Sequence, residues 1–255
     1  MISIKSQTMI DGMKRAGRLL RSIHEELQKR VKPGVTTLEL DAFVESYLRQ
    51  HGGLPAQKGY MGFPYATCAS VNDEVCHGFP TNIPLKEGDI LTIDMVISLD
   101  GYLADSAWSY ALGNISEEAK ELMEVTEEAL LRGIAVANNG AHFGDIGVEI
   151  ENFVRTHGFS VVRDFVGHGI GRKIHEDPQV LHYNAGIRGP KIRKGMVFTI
   201  EPMINVGDWK VKLDSNGWTA RTRDGSLSCQ YEHTMAMTDN GIWVLTDEGF
   251  NEETA

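Results

Sequence analysis

The sequence predicts an α+β fold: a single domain of quasi-twofold design, in which a helix–helix–sheet unit occurs twice and the copies share an antiparallel sheet around one cleft. Three observations predict it. The order helix, helix, glycine-rich stretch, β-rich stretch runs once and then starts again. Individual residues recur with it. At an offset of 106, Glu45, Arg49, His51 and Gly52 return as Glu151, Arg155, His157 and Gly158; at an offset of 107, Gly88-Asp-Ile-Leu-Thr-Ile-Asp94 returns as Gly195-Met-Val-Phe-Thr-Ile-Glu201. Finally, no linker-like stretch separates the copies, so residues 1–255 read as one domain with halves near 1–112 and 113–255.

The elements follow in order. From Thr8 to Lys29, apolar residues recur every three or four positions (Ile10, Met13, Ala16, Leu20, Ile23, Leu27), and Pro33-Gly34 stops the pattern, which is the signature of an amphipathic helix. Thr36-x-x-Glu39 is a capping box opening a second helix that Gly52-Gly53 closes. Leu54 to Pro84, rich in Gly, Pro and aromatics, reads as a loop. Ile90–Ile97 and Tyr102–Leu112, flanking Asp100-Gly101, read as a hairpin. Ser116 can cap a long helix that Asn138-Asn139-Gly140 ends. A helix from about Asp145 to His157 follows, then glycine-rich sequence, then a β-rich segment from Met196 to Val206.

Composition excludes several classes of function. A net charge of −10 argues against direct nucleic-acid binding, which needs a basic face. No apolar run approaches the roughly 20 residues that cross a bilayer, and the first residues lack a secretion-signal pattern. Cys68, Cys76 and Cys229 are an odd number without CxxC spacing, which suits a reducing compartment. The expected location is the cytoplasm, with no membrane partner.

The chemistry lies in misplaced acids. Asp94 interrupts an apolar strand between Ile93 and Met95, where an uncompensated carboxylate is costly. If Asp100-Gly101 is a two-residue turn, position 94 faces 107 and Asp105 is its diagonal neighbour on the same face. Glu201 and Glu232 repeat the problem in the other half. A long hairpin centred on Asn216-Gly217 would set them opposite each other, although Asp224-Gly225 is a competing turn signal. A cation is the simplest explanation for two such pairs. His168, in Gly167-His-Gly-Ile-Gly171, adds an imidazole where glycines let the backbone bend. Four carboxylates are neutralised by two divalent ions, the known device for generating hydroxide and clamping a hydrolytic transition state. Oxygen-rich ligation with one imidazole favours Mn, Fe or Co, with Zn the less-favoured alternative.

Asp94, Asp105, His168, Glu201 and Glu232, in that order, resemble the five-ligand set of the pita-bread metallopeptidases. More narrowly, the chain resembles the type I methionine aminopeptidases of bacterial form. The strings that carry this are Val71-Asn-Asp-Glu-Val-Cys-His-Gly-Phe-Pro80, Leu91-Thr-Ile-Asp94, Gly167-His-Gly-Ile-Gly171, Phe198-Thr-Ile-Glu-Pro-Met203, Asn216-Gly-Trp-Thr219 and Gln230-Tyr-Glu-His-Thr234. The resemblance implies a pita-bread fold around a central metal site and removal of the initiator methionine from nascent polypeptide N-termini. It implies that Asp105 and Glu232 bridge two metals, with Asp94 on one and His168 and Glu201 on the other. Glu201 would also shuttle a proton. His175 matches the family's donor to the developing oxyanion, and His77 the residue that bonds the substrate amide. Tyr60, Phe63, Cys68, Ile174 and Trp218 match its methionine pocket, whose aromatic walls suit a thioether. Gln57 stands where the family often has a small residue, and Ile174 where it often has an aromatic. Early N-terminal processing is consistent with docking of a monomer on the ribosome. His24, His51, His142, His157 and His182 read as structural or solvent-exposed.

The rival within the fold is an Xaa-Pro-directed aminopeptidase or prolidase. Those enzymes generally carry an extra N-terminal domain, for which the residues before Asp94 leave no room. Rivals outside it are a non-catalytic binding protein of this fold and a metal-free creatinase-like hydrolase.

Overall fold

The computed structural model describes residues 1–247 and 249. Among them are four α-helices: α1 (Gln7–Gln28), α2 (Thr37–Gln50), α3 (Glu117–Val136) and α4 (Phe143–Thr156). Each starts where the side chains dictate. The Ser6 hydroxyl accepts from the Met9 N–H to open α1, and Thr36 and Glu39 form the reciprocal box that opens α2. The Ser116 hydroxyl accepts from the Ala119 N–H at α3. Asp145 reaches back to the His142 N–H at 2.9 Å, which starts α4 two residues before the expected Asp145.

The strands are β1 (Gly53–Pro55), β2 (Cys68–Val71), β3 (Glu74–Cys76), β4 (Ile90–Leu99), β5 (Tyr102–Ala111), β6 (Ser160–Val161), β7 (Gly167–Gly169) and β8 (Glu176–Val180). They continue as β9 (Val197–Ile200), β10 (Met203–Asn205), β11 (Val211–Leu213), β12 (Ala220–Thr222), β13 (Ser228–Gln230), β14 (His233–Thr238) and β15 (Gly241–Val244). The 54–84 stretch, expected to be a loop, contains β1–β3 and a short 3-10 turn at Tyr60–Gly62. Runs of three or four residues are too short to show alternation.

The two halves match closely. α2 and α4 have the same length, and both their ends coincide at the offset of 106. Gly52 and Gly158 follow them at φ 76° and 79°, the left-handed conformation glycine supplies after a helix. In the first half, β4 pairs with β5 over its full length, with Asp94 opposite Ala107 as the Asp100-Gly101 turn requires. The other edge of β4 pairs first with β2 and then with β1. In the second half one register runs through β9–β14, β10–β13 and β11–β12: Ile200↔His233, Met203↔Gln230 and Leu213↔Ala220. Those pairs are all centred between Asn216 and Gly217, so this is one long hairpin. Asp224-Gly225 is absorbed as a local turn, where Asp224 Oδ1 accepts from the Ser226 N–H.

Each half buries its own apolar cluster. One joins α1 and α2 to the 90–112 hairpin through Leu20, Leu40, Ile93 and Leu112; the other joins α3 and α4 to β9 and β14 through Leu122, Ile146, Phe198 and Met235. A third cluster, including Met13, Val96, Ile170 and Val197, draws on both halves. The sheets from the two halves therefore face one interior cleft.

Candidate active site

One cavity of about 250 Å³ opens between the halves, and all twelve residues singled out from the sequence line it: Tyr60, Phe63, Cys68, His77, Asp94, Asp105, His168, Ile174, His175, Glu201, Trp218 and Glu232. Gln57, Met61, Val96, Phe165, Val166 and Met203 complete the lining, which contains no Lys or Arg.

The acids converge because of strand register. Asp94 and Asp105 share a face of the β4–β5 hairpin, two positions apart across the ladder. Glu201 lies just past β9 and Glu232 just before β14, at the point where the long hairpin's ladder opens. There the Glu201 N–H turns to His182 Nε2 at 3.0 Å, and the Glu232 N–H to the Ala107 carbonyl at 2.8 Å. Pro202 has no N–H to rejoin the ladder. The Glu232 bond stitches the two acid pairs together, since Ala107 is the partner of Asp94.

The electrostatics are severe. Burial pushes the Asp94 carboxyl up to about 7 and the Glu201 carboxyl up to about 8; Asp94 also raises Glu201, against a lowering hydrogen bond from Thr199. Burial, then neighbouring acids, raise Asp105 and Glu232 well above the usual carboxylate range. His168 gives no relief as a cation, because burial first and His175 second lower its pKa to about 4. Its Nδ1 lies 3.0 Å from the Gly169 carbonyl, which can only accept. Nδ1 therefore carries the hydrogen and Nε2 presents a lone pair, 3.6 Å from both Asp105 and Glu201.

That arrangement fits a metal. Asp105, His168 and Glu232 each offer a ligand atom, all within 4.8 Å of one another. Buried Asp105 Oδ1 and Glu232 Oε1 have no hydrogen-bond partner in the protein, a costly state that divalent cations remove. A carbonyl-anchored neutral imidazole is the usual form of a ligating histidine.

Around the acids, the Phe63 and Trp218 rings meet edge to face at 5.2 Å, and Cys68 and Ile174 are buried in the same cavity. His77 stands edge-on to Trp218 at 6.1 Å. Tyr60 Oη lies 3.0 Å from His175 Nδ1, and the His175 and His168 rings are 4.3 Å apart. His77 adopts φ 55°, uncommon for a non-glycine residue, and its ring stands edge-on to Phe165. Burial lowers the pKa of both His77 and His175, His77 to about 4.

Sequence reasoning does not single out Thr199, reads His182 only as structural or solvent-exposed, and reads Gln57 only as a departure at the pocket. Thr199 accepts from the His168 N–H at 3.0 Å and donates to Glu201 Oε1 at 2.7 Å, joining two ligand candidates. The available signal was its repeat at Thr92, two residues before Asp94 as Thr199 is before Glu201. His182 is 1% exposed and supports Glu201 through its backbone. Gln57 Oε1 accepts from the Val96 N–H at 2.6 Å, filling the gap on the β4 edge between β2 and β1.

Comparison with known proteins places this geometry in context. The model of metallopeptidase family M24 matches residues 11–239. A methionine aminopeptidase of Clostridium perfringens is 48% identical over 246 residues, 96% of this chain and 99% of the relative. The crystal structure of methionine aminopeptidase from Rickettsia prowazekii superposes with a TM-score of 0.95 at 41% identity, covering 97% of this chain and 100% of that one. Prolidase from Pyrococcus furiosus shares the fold, with a TM-score of 0.77 at 22% identity over 96% of this chain and 65% of the prolidase.

Proposed function

The chain belongs to metallopeptidase family M24, and from that premise we propose that it is a methionine aminopeptidase of pita-bread fold, a hydrolase that removes the initiator methionine from the N-termini of nascent polypeptides. The observation that carries this reading is the single cavity in which four clustered carboxylates, three of them buried, and a neutral imidazole adjoin an aromatic and sulfur-lined recess. The near-complete coverage of methionine aminopeptidase relatives supports it against the Xaa-Pro alternative.

Asp94, Asp105, His168, Glu201 and Glu232 would hold two divalent ions, with Mn, Fe or Co favoured over Zn. When bound, such a pair polarises the scissile carbonyl and lowers the pKa of water. The remaining work falls to the protein. Thr199 occupies Glu201 Oε1, so Glu201 takes up and returns the proton at Oε2. If the Tyr60 hydroxyl donates to His175 Nδ1, 3.0 Å away, Nε2–H is left as the donor toward the oxyanion, a contribution of about 2.7–4 kcal/mol for such a group. Burial lowers the His175 pKa, which favours the neutral imidazole. His77 holds the substrate amide. Tyr60, Phe63, Cys68, Ile174 and Trp218 take the methionine side chain, and the need for a free, neutral α-amino group at the metal site would confine cleavage to chain ends.

No helix among the described residues is long and apolar enough to cross a membrane. A monomer working in the cytoplasm beside the ribosome is the setting we propose. Residues 1–255 are taken as one domain with halves at about 1–112 and 113–255, which the coincident ends of α2 and α4 support. The test is hydrolysis of Met-Ala-Ser beside an Xaa-Pro peptide, with the protein stripped by chelator and reloaded with Mn, Fe, Co or Zn. Metal-dependent release of methionine is expected. Cleavage of the Xaa-Pro peptide alone, or activity that survives stripping, would reverse the assignment.

A further inference from the structure

The loop that carries Ile174 and His175 is held from behind by a charge pair that the chemistry above does not use. Residues 170–175 connect β7 to β8, and the loop's own closure is a bond from the Gly171 N–H to the Lys173 carbonyl at 3.1 Å. Glu176 supplies more. Its Oε1 accepts from the Arg172 N–H at 2.9 Å and the Lys173 N–H at 3.2 Å. Its Oε2 accepts from the Ser3 hydroxyl at 2.6 Å and the Lys5 ammonium at 2.9 Å.

Lys5 is unusual in its own right. Its side chain is 3% exposed and that of Glu176 is 16% exposed, whereas lysine is almost never fully buried unless paired. Its backbone N–H is tied to the Gly195 carbonyl at 2.7 Å, just ahead of β9. The loop passes so close that a Cβ at Gly171 would lie 2.6 Å from Lys5 Cε and 2.9 Å from Glu176 Oε1. The pair thus joins the N-terminal segment, the approach to β9 and the back of the loop.

A buried ion pair adds little net stability but specifies one arrangement, because either charge left alone is penalised. Here the arrangement it specifies is that of the residue beside it. We infer that Lys5 and Glu176 are positioning residues, which lock the 170–175 loop so that the His175 imidazole faces the substrate. This rests on the reading of His175 as a group that acts on substrate. A misplacement of about 1 Å can cost on the order of 100-fold in rate, so the effect should appear in kcat, with the acids that hold metal undisturbed.

The experiment is a double-mutant cycle on the metal-loaded enzyme. Lys5→Met keeps the buried stem and removes the charge; it is expected to lower kcat by about 10- to 100-fold, with metal content unchanged and KM moved less than about 3-fold. In a His175→Ala background the same change should cost less than about 2-fold, since the group it positions is gone. Glu176→Gln, which keeps an oxygen for the Arg172 and Lys173 N–H groups, should behave the same way and serves if Lys5→Met folds poorly. Equal losses in both backgrounds would mean a general structural role and overturn the inference, as would an unchanged kcat in the His175-containing enzyme. If His175→Ala alone leaves kcat intact, the underlying reading of His175 fails instead.

Discussion

Asp105→Asn separates the metal site from the fold that carries it. The substitution preserves shape and deletes one of four clustered charges. Asp105 is 3% exposed, yet Oδ1 has no partner in the protein; its structural bonds run through its backbone, to and from the Thr234 hydroxyl at 3.1 and 2.8 Å. In the ion-free protein the charge therefore stabilises nothing. An ion present at 100 times its Kd stabilises the native state by about 2.7 kcal/mol. For a domain of this size 1 kcal/mol moves Tm by about 2–4 °C, so the wild-type protein should gain about 5–11 °C on loading. Asp105→Asn removes a proposed ligand and should gain less than about 1 °C at the same Mn concentration. The ion-free variant should melt no lower than ion-free wild type, because removing an uncompensated buried charge is neutral or stabilising. Calorimetry on chelator-stripped protein at pH 8, with and without Mn, reads all four melting points. A variant that keeps the full Mn shift, or melts several degrees below wild type without metal, would refute the reasoning.

Three more outcomes are expected. His175→Ala should retain its metal, measured by elemental analysis, while kcat falls by about 10²–10³; loss of metal would show that His175 is a ligand. His24 is fully buried, with Nδ1 2.8 Å from Tyr110 Oη and its ring stacked on Trp108, and burial lowers its pKa to about 3. Between pH 6.5 and 3 the unfolded chain binds a proton there that the native state does not, so stability falls with falling pH by about 1.4 kcal/mol per unit for this group. His24→Asn should flatten that slope in denaturant titrations, and an unchanged slope would mean that His24 is solvated or charged in the native protein. Arg221 ties Asp214, Asp73 and Glu74 together at 2.7, 2.6 and 2.5 Å, between the tip that bears Trp218 and the strand that leads to His77. Arg221→Met leaves three acids facing one another and should cost about 1–3 kcal/mol, the lower part of the range for broken pairs because the cluster is partly solvated. It should also raise KM for methionyl peptides; unchanged melting and KM would remove Arg221 from any supporting role.

Much of this was legible in the sequence because it was local. The caps at Thr36 and Ser116 announce themselves within four residues, and the Asp100-Gly101 turn alone fixes Asp94 against Ala107. The offset recurrence reached further, since α2 and α4 coincide at both ends. What stayed hidden depends on contacts between distant segments. β1–β3 exist because β4 and β12 offer edges to pair with, and nothing in three residues of sequence reveals that. Thr199, His182 and Gln57 matter through the hydrogen bonds their neighbours need, which appear only once Glu201 and Val96 have left their regular ladders. Lys5 and Glu176 are 171 positions apart, and neither stands out from an ordinary surface charge until the lysine is seen buried against the partly buried glutamate.

The position of the acids follows from the same irregularity. A carboxylate within an unbroken, fully covered ladder would point into packed apolar side chains and be penalised. In each half the acid instead stands where pairing changes hands. Asp94 is the last residue of β4 paired with β2, before the edge passes to Gln57 and β1. Glu201, its counterpart at the offset of 107, lies between β9 and β10, where Pro202 forbids continuation and His182 takes the orphaned N–H. A ladder break opens space on the cleft side without leaving backbone groups unpaired, because a side chain closes the gap each time. Duplicating a unit with such a break brings two acids to the cleft, and each hairpin partner adds another: Asp105 from β5, Glu232 from the gap just before β14. Four carboxylates then meet by register rather than by chance, and the charge they accumulate is what makes the cleft demand a cation.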